Sequence, residues 1–155
     1  MSLRGLLALT IAALVAACAP AASAEARLSL APSGLQQVPL HVTTATGRMR
    51  HFTVEVARTL PQQQVGLMNR ATLAPNRGMI FPYNPPEAVA FWMKNTLIPL
   101  DMIFVRANGT IARIITAVPL SLEPVPAGEP VGAVLEIGGG RAKALGIKSG
   151  DRVRW

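Results

Sequence analysis

The sequence has few of the residues on which most metal and catalytic sites depend. Its 155 residues include one cysteine, Cys18, and two histidines, His41 and His51. One cysteine excludes a disulfide within the chain and a zinc site built mainly of thiolates, and two histidines leave little for a histidine-rich metal site or a catalytic triad. No Walker loop, GxSxG elbow or HExxH motif is present. We therefore expect no metal and no cofactor.

Charged residues are also scarce, at 15% of the chain, with 8 acidic against 15 basic side chains. The basic residues are scattered, without a run of five like charges or an RNP-type aromatic motif, so the sequence predicts no nucleic-acid partner. The net charge of +7 indicates only a loose attraction to anionic lipid or polysaccharide. The hydrophobic fraction of 50% is too high for a disordered chain and sufficient for the core of one domain.

Residues 1–24 have the pattern of an export signal. A basic residue precedes an apolar run over 6–17, which is too short for a membrane span of about 20 residues. Two cleavage signals remain open. The four residues that end at Cys18 resemble the lipobox of bacterial lipoproteins, which would attach a lipid to that cysteine, whereas Ala-Ser-Ala at 22–24 is a site for simple secretion. Both routes predict an exported, periplasmic protein without a transmembrane span in its mature form, and the first predicts a lipid anchor.

The remaining sequence predicts one domain rich in β-strands. Residues 25–37 are polar and contain Pro and Gly, which is typical of a linker, and residues 38–155 contain about seven candidate strands. A helix is expected over about 59–70, because Thr-Leu-Pro-Gln opens it as a capping box, and another over 141–145, which a glycine ends. We therefore expect a mainly β fold, a compact sandwich or closed barrel of about seven short strands with two small helices.

The clearest local pattern is a hairpin at Asn108-Gly109, between apolar strands over 102–105 and 110–118. Asn-Gly favours a type I′ turn because both residues tolerate positive φ. Period-two alternation places the side chains of the first strand on opposite faces: Ile103 and Val105 on one, Met102 and Phe104 on the other.

Alternation and turn residues predict other strands less sharply. Short strands are expected over 79–81 and 88–93, on either side of a Pro-rich loop at 82–86. In an earlier candidate strand, alternation directs His51 and Glu55 towards solvent.

The candidate site is the segment 91–101. Four of the seven aromatic residues occur over 81–92, next to Lys94, Asn95 and Asp101. Such a cluster can line a pocket that has an apolar wall and a few polar groups. The alternative is structural, because aromatic side chains in strands usually belong to the core, and Asp101 would then accept hydrogen bonds only from backbone amides. Turn residues between Lys94 and Asp101 predict a bend that brings the two charges together as a partly exposed ion pair.

Several short blocks, spread over about residues 50–153, match the pattern of one known family. They are Gly66-Leu67-Met68-Asn69-Arg70, Gly78-Met79-Ile80-Phe81, Phe91-Trp92-Met93-Lys94-Asn95-Thr96 with Ile98-Pro99-Leu100-Asp101, and Val134-Leu135-Glu136 followed by Gly146-Ile147 and Gly150-Asp151. On these blocks the chain resembles the DUF192 family, small and mostly bacterial and archaeal proteins of unassigned function. The resemblance implies a compact β-rich fold and frequent export, and it implies no catalytic residue. The family pattern usually has Thr-Pro-Glu-Glu before the helix, whereas Thr59–Gln62 keeps the cap without the two acids.

Three interpretations of function follow. The favoured one is a non-catalytic binding or accessory module of the cell envelope, in which Trp92, Lys94, Asn95, Asp101 and Glu136 form a patch that recognises an unknown small molecule or envelope component. The second is a small periplasmic hydrolase, in which Asp101 and Glu136 act as acid and base within roughly 5–10 Å of each other and Lys94 holds charge. The third is a purely structural polar network. The polar residues would converge at an open cleft in the first case and be buried with satisfied hydrogen bonds in the third.

Overall fold

The computed structural model describes residues 29–155, which form ten strands and two short helices. The export segment predicted over 1–24, with Cys18, lies outside the described residues. In chain order the elements are β1 (Ser29–Leu30), β2 (Gln36–Thr43), β3 (Met49–Val56), α1 (Leu60–Val65), β4 (Arg77–Glu87), β5 (Ala90–Phe91), β6 (Leu100–Val105), β7 (Ile111–Ala117), β8 (Val125–Pro126), β9 (Val131–Gly138), α2 (Arg141–Leu145) and β10 (Arg152–Arg154).

Eight of these strands form one curled sheet in the order β1-β2-β3-β4-β9-β6-β7, with β10 also paired to β2, and β5 pairs with β8 separately. The β3–β4 pair is parallel and its neighbours are antiparallel. The tip of the β6–β7 hairpin meets β10, because the amide of Ile111 donates to Asp151 O and that of Val153 donates to Gly109 O, both at 2.8 Å. These bonds join the two ends of the curl. The predicted mainly β fold of short strands with two small helices is confirmed.

The alternation of apolar residues divides the core into two clusters, one on each face of the sheet. The inner cluster receives side chains from β2, β3, β4, β6, β7, β9 and β10, and the outer one lies over β4, β6 and β9. The predicted division of β6 is confirmed, since Ile103 and Val105 belong to the inner cluster and Met102 and Phe104 to the outer one. Loops and the small β5–β8 sheet cover the outer cluster.

The predicted hairpin is present, but its turn is not type I′. Gly109 has φ of +82°, whereas Asn108 is not among the residues with positive φ, and type I′ requires both. Arg106 N donates to Thr110 O at 2.9 Å, which closes a three-residue loop. The side chain of Asn108 accepts a hydrogen bond from Thr110 N at 3.0 Å. That local bond gives the asparagine a role in the turn without positive φ.

The first helix is shorter than predicted. Its capping box is confirmed, because Thr59 Oγ1 accepts from Gln62 N and Gln62 Oε1 accepts from Thr59 N. The helix ends at Gly66, whose φ of +47° stops it, rather than continuing to residues 68–70. This short helix buries no residue, and Leu60 is 67% exposed. The second helix is confirmed, with its C-cap glycine in the left-handed region.

Three strand predictions need correction. The Pro-rich segment 82–86 is part of β4, which accommodates prolines without amide donors at a register shift between Pro82 and Glu87. The strand expected over 88–93 shrinks to β5. Part of the segment predicted as a linker pairs in the sheet, as β1 and the start of β2.

Of the two β3 side chains predicted to face solvent, His51 is exposed, but Glu55 is 8% exposed. Glu55 can be buried because a cation meets it, as described below. Within residues 29–155 no helix is long and apolar enough to cross a membrane.

Candidate functional site

Glu136 forms the floor of a small cleft on the outer face of the sheet. On β9 it pairs with Met79 of β4 and Met102 of β6, whose side chains belong to the outer cluster. The side chain is 4% exposed, and the space above it is about 40 Å³. We call this space the Glu136 cleft.

The walls of the Glu136 cleft come from two segments, of which the first lies in the connection between β3 and β4. One is the end of α1 and the residues after it, 63–68, and the other is 91–96, which follows β5. Asn69 N donates to Asn95 O at 2.8 Å, so a backbone hydrogen bond joins the two segments. The lining residues are Gln63, Gln64, Val65, Gly66, Leu67, Met68, Phe81, Phe91, Trp92, Thr96 and Glu136.

The carboxyl of Glu136 has no partner in this cleft. None of the lining residues is basic, and within residues 31–155 no group donates a hydrogen bond to it. Burial raises the pKa of Glu136 from 4.5 to about 8. The group is therefore mostly protonated at neutral pH, and it ionises readily only when a positive charge arrives.

Three of the predicted site residues belong to the 91–96 segment that forms one wall of the cleft. Trp92 is 49% exposed, and the ammonium of Lys94 lies 5.1 Å from the centre of its ring. Asn95 is exposed beside them, with Nδ2 4.0 Å from the sulfur of Met68. The ring of Phe91 continues inwards and meets Phe81 edge to face at 5.0 Å.

A wider groove adjoins the cleft. It has a volume of about 200 Å³ and shares Gln63, Gln64, Phe91 and Trp92 with the Glu136 cleft. Tyr83 lies in its wall, and burial, then the charges of Glu87 and Glu136, raise the pKa of its phenol to about 12. The phenol is therefore neutral and can serve as a hydrogen-bond donor.

Asp101 does not belong to this cleft. It is 1% exposed, and its carboxylate accepts hydrogen bonds from Thr116 Oγ1 at 2.6 Å, Gly140 N at 2.8 Å and Ala142 N at 2.7 Å. Two of these donors are backbone amides at the start of α2, so Asp101 fastens that helix to the sheet. The expected ion pair with Lys94 is not formed, because the lysine lies over Trp92 instead.

The structure also keeps the two proposed acid and base residues apart. On neighbouring strands Met102 pairs with Glu136, and Asp101 pairs with Ile137. Since successive side chains of a strand alternate between faces, Asp101 and Glu136 point to opposite faces of the sheet. They are not positioned to act on one substrate.

Sequence reasoning missed the ion pair that holds one wall of the cleft. Arg70 Nη2 lies 2.7 Å from Glu55 Oε2, and Ser33 Oγ donates to the same oxygen at 2.6 Å. Burial alone would raise the pKa of Glu55, but the hydrogen bonds from Arg70 and Ser33 outweigh it and the pKa is lowered. The Gly66–Arg70 block carried this arginine, but alternation directed Glu55 outwards, so the pairing was not foreseen.

With the geometry established, comparison with known proteins identifies the family. Residues 41–155 match the profile of DUF192, described as an uncharacterised ACR. The chain belongs to the DUF192 family. The resemblance seen in the sequence blocks is thereby confirmed, and these blocks supply both walls of the Glu136 cleft together with Glu136 itself.

Two solved structures are similar to this DUF192 chain. One is the crystal structure of a protein of unknown function from Novosphingobium aromaticivorans, at 50% identity and a TM-score of 0.79, covering 82% of this chain and 91% of that one. The other is that of a putative transcription regulator from Sinorhizobium meliloti, at 41% identity and a TM-score of 0.76, covering 77% and 94%. No curated protein matches. Among residues 29–155, no group of three or more His, Cys, Asp or Glu is placed to hold a metal ion.

Proposed function

We propose that this DUF192 protein is a non-catalytic binding module of the cell envelope, and that its ligand occupies the Glu136 cleft. The observation that carries the proposal is the unpartnered carboxyl at the floor of an opening. Taking a polar group out of most of its water without a protein partner costs free energy, up to about 1–3 kcal/mol for a fully buried group. A side chain that served packing alone would gain by being apolar, whereas a ligand group can supply the missing partner.

The mouth of the cleft supports recognition rather than catalysis. Trp92, Lys94 and Asn95 offer an aromatic face, an ammonium and an amide around an apolar opening, which is the usual mixture of a small-ligand site. Asp101, the second carboxyl that a hydrolytic mechanism would need, is committed to three donors elsewhere.

Export is part of the same proposal, and it rests on the sequence. The apolar leader over 1–24 directs the chain out of the cytoplasm, either by simple secretion or with a lipid on Cys18. Mass spectrometry of the natural N-terminus separates the two routes. A chain that begins at an acylated Cys18 has the anchor, one that begins at Glu25 lacks it, and an uncleaved chain contradicts export.

DNA binding is the alternative, because the Sinorhizobium meliloti relative is called a putative transcription regulator. In residues 29–155 the two helices contain six and five residues, which is about one and a half turns each. Neither provides the long basic helix that most major-groove readers insert. These features support a small ligand in preference to DNA.

The test is a thermal-shift screen of the purified protein against small molecules, repeated on Trp92→Ala and on Trp155→Ala. Both tryptophans are about half exposed, but Trp155 lines a separate cavity with Pro82 and Arg106. Ligands of the cleft should lose their shift in Trp92→Ala and keep it in Trp155→Ala. Ligands that are insensitive to Trp92→Ala would contradict the assignment of the site.

A further inference from the structure

The Glu136 cleft has the chemistry of a site for a positively charged group. We propose that it binds the primary ammonium of an aliphatic amine, with the ammonium on the Glu136 carboxylate and the alkyl chain in the adjoining groove. This proposal rests on the proposed function, because it assigns a ligand class to the same cleft.

The first support is the charge around the carboxyl. From α1 no charged residue faces Glu136, since Leu60–Val65 contains none, and from β6 the nearest carboxyl, Asp101, is on the opposite face. From β4 the titratable groups on this side are Tyr83 and Glu87, both acidic. From 91–96 the one cation is Lys94, which lies over Trp92. The protein therefore places one carboxyl, that of Glu136, at the floor of the cleft and supplies no basic group among its lining residues.

The second support is the aromatic lining. Phe81, Phe91 and Trp92 line the cleft, and aromatic rings attract cations through their faces, most strongly where water is excluded. The Lys94 ammonium already lies over the Trp92 ring, so Phe81 and Phe91 are the rings left to a ligand cation. A carboxylate or phosphate ligand would gain no such attraction from the rings, and Glu136 would repel it once that carboxyl is ionised. The lining thus discriminates by charge even before a hydrogen bond forms.

The third support is size. A volume of about 40 Å³ holds little more than one water-sized group, so an NH₃⁺ fits and a trimethylammonium does not. The connected groove of about 200 Å³, between Tyr83, Ala90 and Trp92, has room for a short alkyl chain. The shape therefore selects a primary amine.

Binding should be linked to one proton. At pH 6 to 7 the ammonium enters as RNH₃⁺, the Glu136 carboxyl becomes a carboxylate, and its proton leaves to solvent. Because burial raises the pKa of Glu136 to about 8, the affinity should rise about tenfold per pH unit up to that pH. Above it the affinity should level off, until the amine itself deprotonates near 10.4.

The experiment titrates n-butylamine, n-butanol, butyrate and tetramethylammonium into the purified protein by calorimetry at pH 6, 7, 8 and 9. We expect n-butylamine to bind at least tenfold more tightly than the other three at pH 8, with about one proton released at pH 6 in two buffers of different ionisation enthalpy. A Gly-Lys-Gly peptide with acetylated and amidated ends is titrated as well. Its binding tests whether the ammonium can come from a lysine side chain as well as from a free amine.

The matched variants are Glu136→Gln and Glu129→Gln, each of which removes one negative charge. Glu129 pairs with Arg106 away from the cleft, so Glu129→Gln should bind n-butylamine as the wild type does, and Glu136→Gln should lose at least tenfold. Unchanged binding in Glu136→Gln, or binding without proton release by the wild-type protein, would overturn the proposal.

The two proposals fail in different ways. Suppose that n-butanol or butyrate binds more tightly than n-butylamine, and that Trp92→Ala abolishes this binding. The cleft is then a ligand site, and the ammonium assignment is wrong. If Trp92→Ala leaves every ligand unaffected, the cleft itself is the wrong site.

Discussion

Asp101 and Glu136 are carboxyl groups on neighbouring strands, and burial alone does not distinguish them, at 1% and 4% exposed. Their surroundings are opposite. Asp101 accepts three hydrogen bonds and fastens α2 to the sheet. Glu136 receives none from the described residues and lies below an opening lined by Phe81, Phe91 and Trp92. The hydrogen-bond donors around a buried acid therefore distinguish a structural residue from a candidate binding residue.

A third acid, Glu55, lies between these extremes. Its carboxylate is bound by the Arg70 guanidinium and by the Ser33 hydroxyl, which together keep its pKa low. These three of the four buried acids among the described residues have three kinds of surroundings: hydrogen-bond donors that include backbone amides around Asp101, a cation at Glu55, and an open cleft at Glu136.

The largest expected effect on stability comes from removing the Asp101 carboxylate, which accepts three hydrogen bonds. Asp101→Ala leaves the amides of Gly140 and Ala142 and the Thr116 hydroxyl without their partner, and we expect a loss of about 3 kcal/mol or more in the free energy of unfolding. Urea denaturation measures it. Glu136→Gln at pH 6 is the control, because the folded wild-type carboxyl is neutral there and no donor loses its acceptor, so this variant should not lower stability. Equal losses in the two variants would erase the distinction between them.

The next largest effect is expected from a substitution that removes the cation paired with Glu55. Arg70→Met leaves Glu55 buried without its cation, so the pKa of Glu55 should rise and stability at pH 7 should fall by about 1–2 kcal/mol, the pair being partly exposed. The loss should shrink as the pH falls below the Glu55 titration, because protonation removes the pairing from the wild type as well. Arg154→Met is the control, since the exposed Arg154 side chain makes no hydrogen bond or ion pair within the described residues and its charge does not act on Glu55. A similar loss there would mean that the buried acid is not the cause.

The third effect is a pH dependence of opposite sign at Glu136. Burial raises the pKa of Glu136 from 4.5 to about 8, so over this window the folded protein keeps a proton that the unfolded chain has lost. Stability from this group is present at low pH and falls as pH rises, by at most about 1.4 kcal/mol per pH unit. Denaturation midpoints at pH 6, 7 and 8 should show a downward slope in the wild type that is absent from Glu136→Gln. Identical slopes would show that the carboxyl ionises freely.

The smallest effect is a coupling near zero between Lys94 and Asp101. A double-mutant cycle with Lys94→Met and Asp101→Asn should give additive changes within about 0.5 kcal/mol, because the lysine lies over Trp92 and the aspartate at α2. A coupling above about 1 kcal/mol would place the two charges in contact and would contradict the separation of the two regions.

Much of the fold was predictable because it depends on local patterns. Alternation assigned the two faces of β6, and the capping box located the start of α1. The Asn-Gly pair identified the hairpin, although the side-chain hydrogen bond of Asn108 gave a different turn. The end of α1 at Gly66 and the passage of β4 through its prolines depend on tertiary contacts, which no local pattern contains.

The candidate site was predictable only in part. The 91–96 segment was identified from its aromatic and polar content, and it forms one wall of the cleft, with Lys94 over the ring of Trp92. Separating Asp101 from Glu136 required the pairing of β6 with β9, since that register alone decides which face each side chain occupies. The sequence of one strand alone does not determine its register with a strand that is distant in the chain.

The hydrogen bond from Asn69 N to Asn95 O has a mechanical consequence. This bond joins the two segments that form the walls of the Glu136 cleft. The segment after α1 is also joined to β3 through the ion pair of Arg70 with Glu55. Pushing the 91–96 segment outwards while this bond holds therefore pulls on the chain after α1 and, through the guanidinium, on the sheet. Widening the opening therefore also strains β3. A ligand that widens the cleft works against the stiffness of the curled sheet.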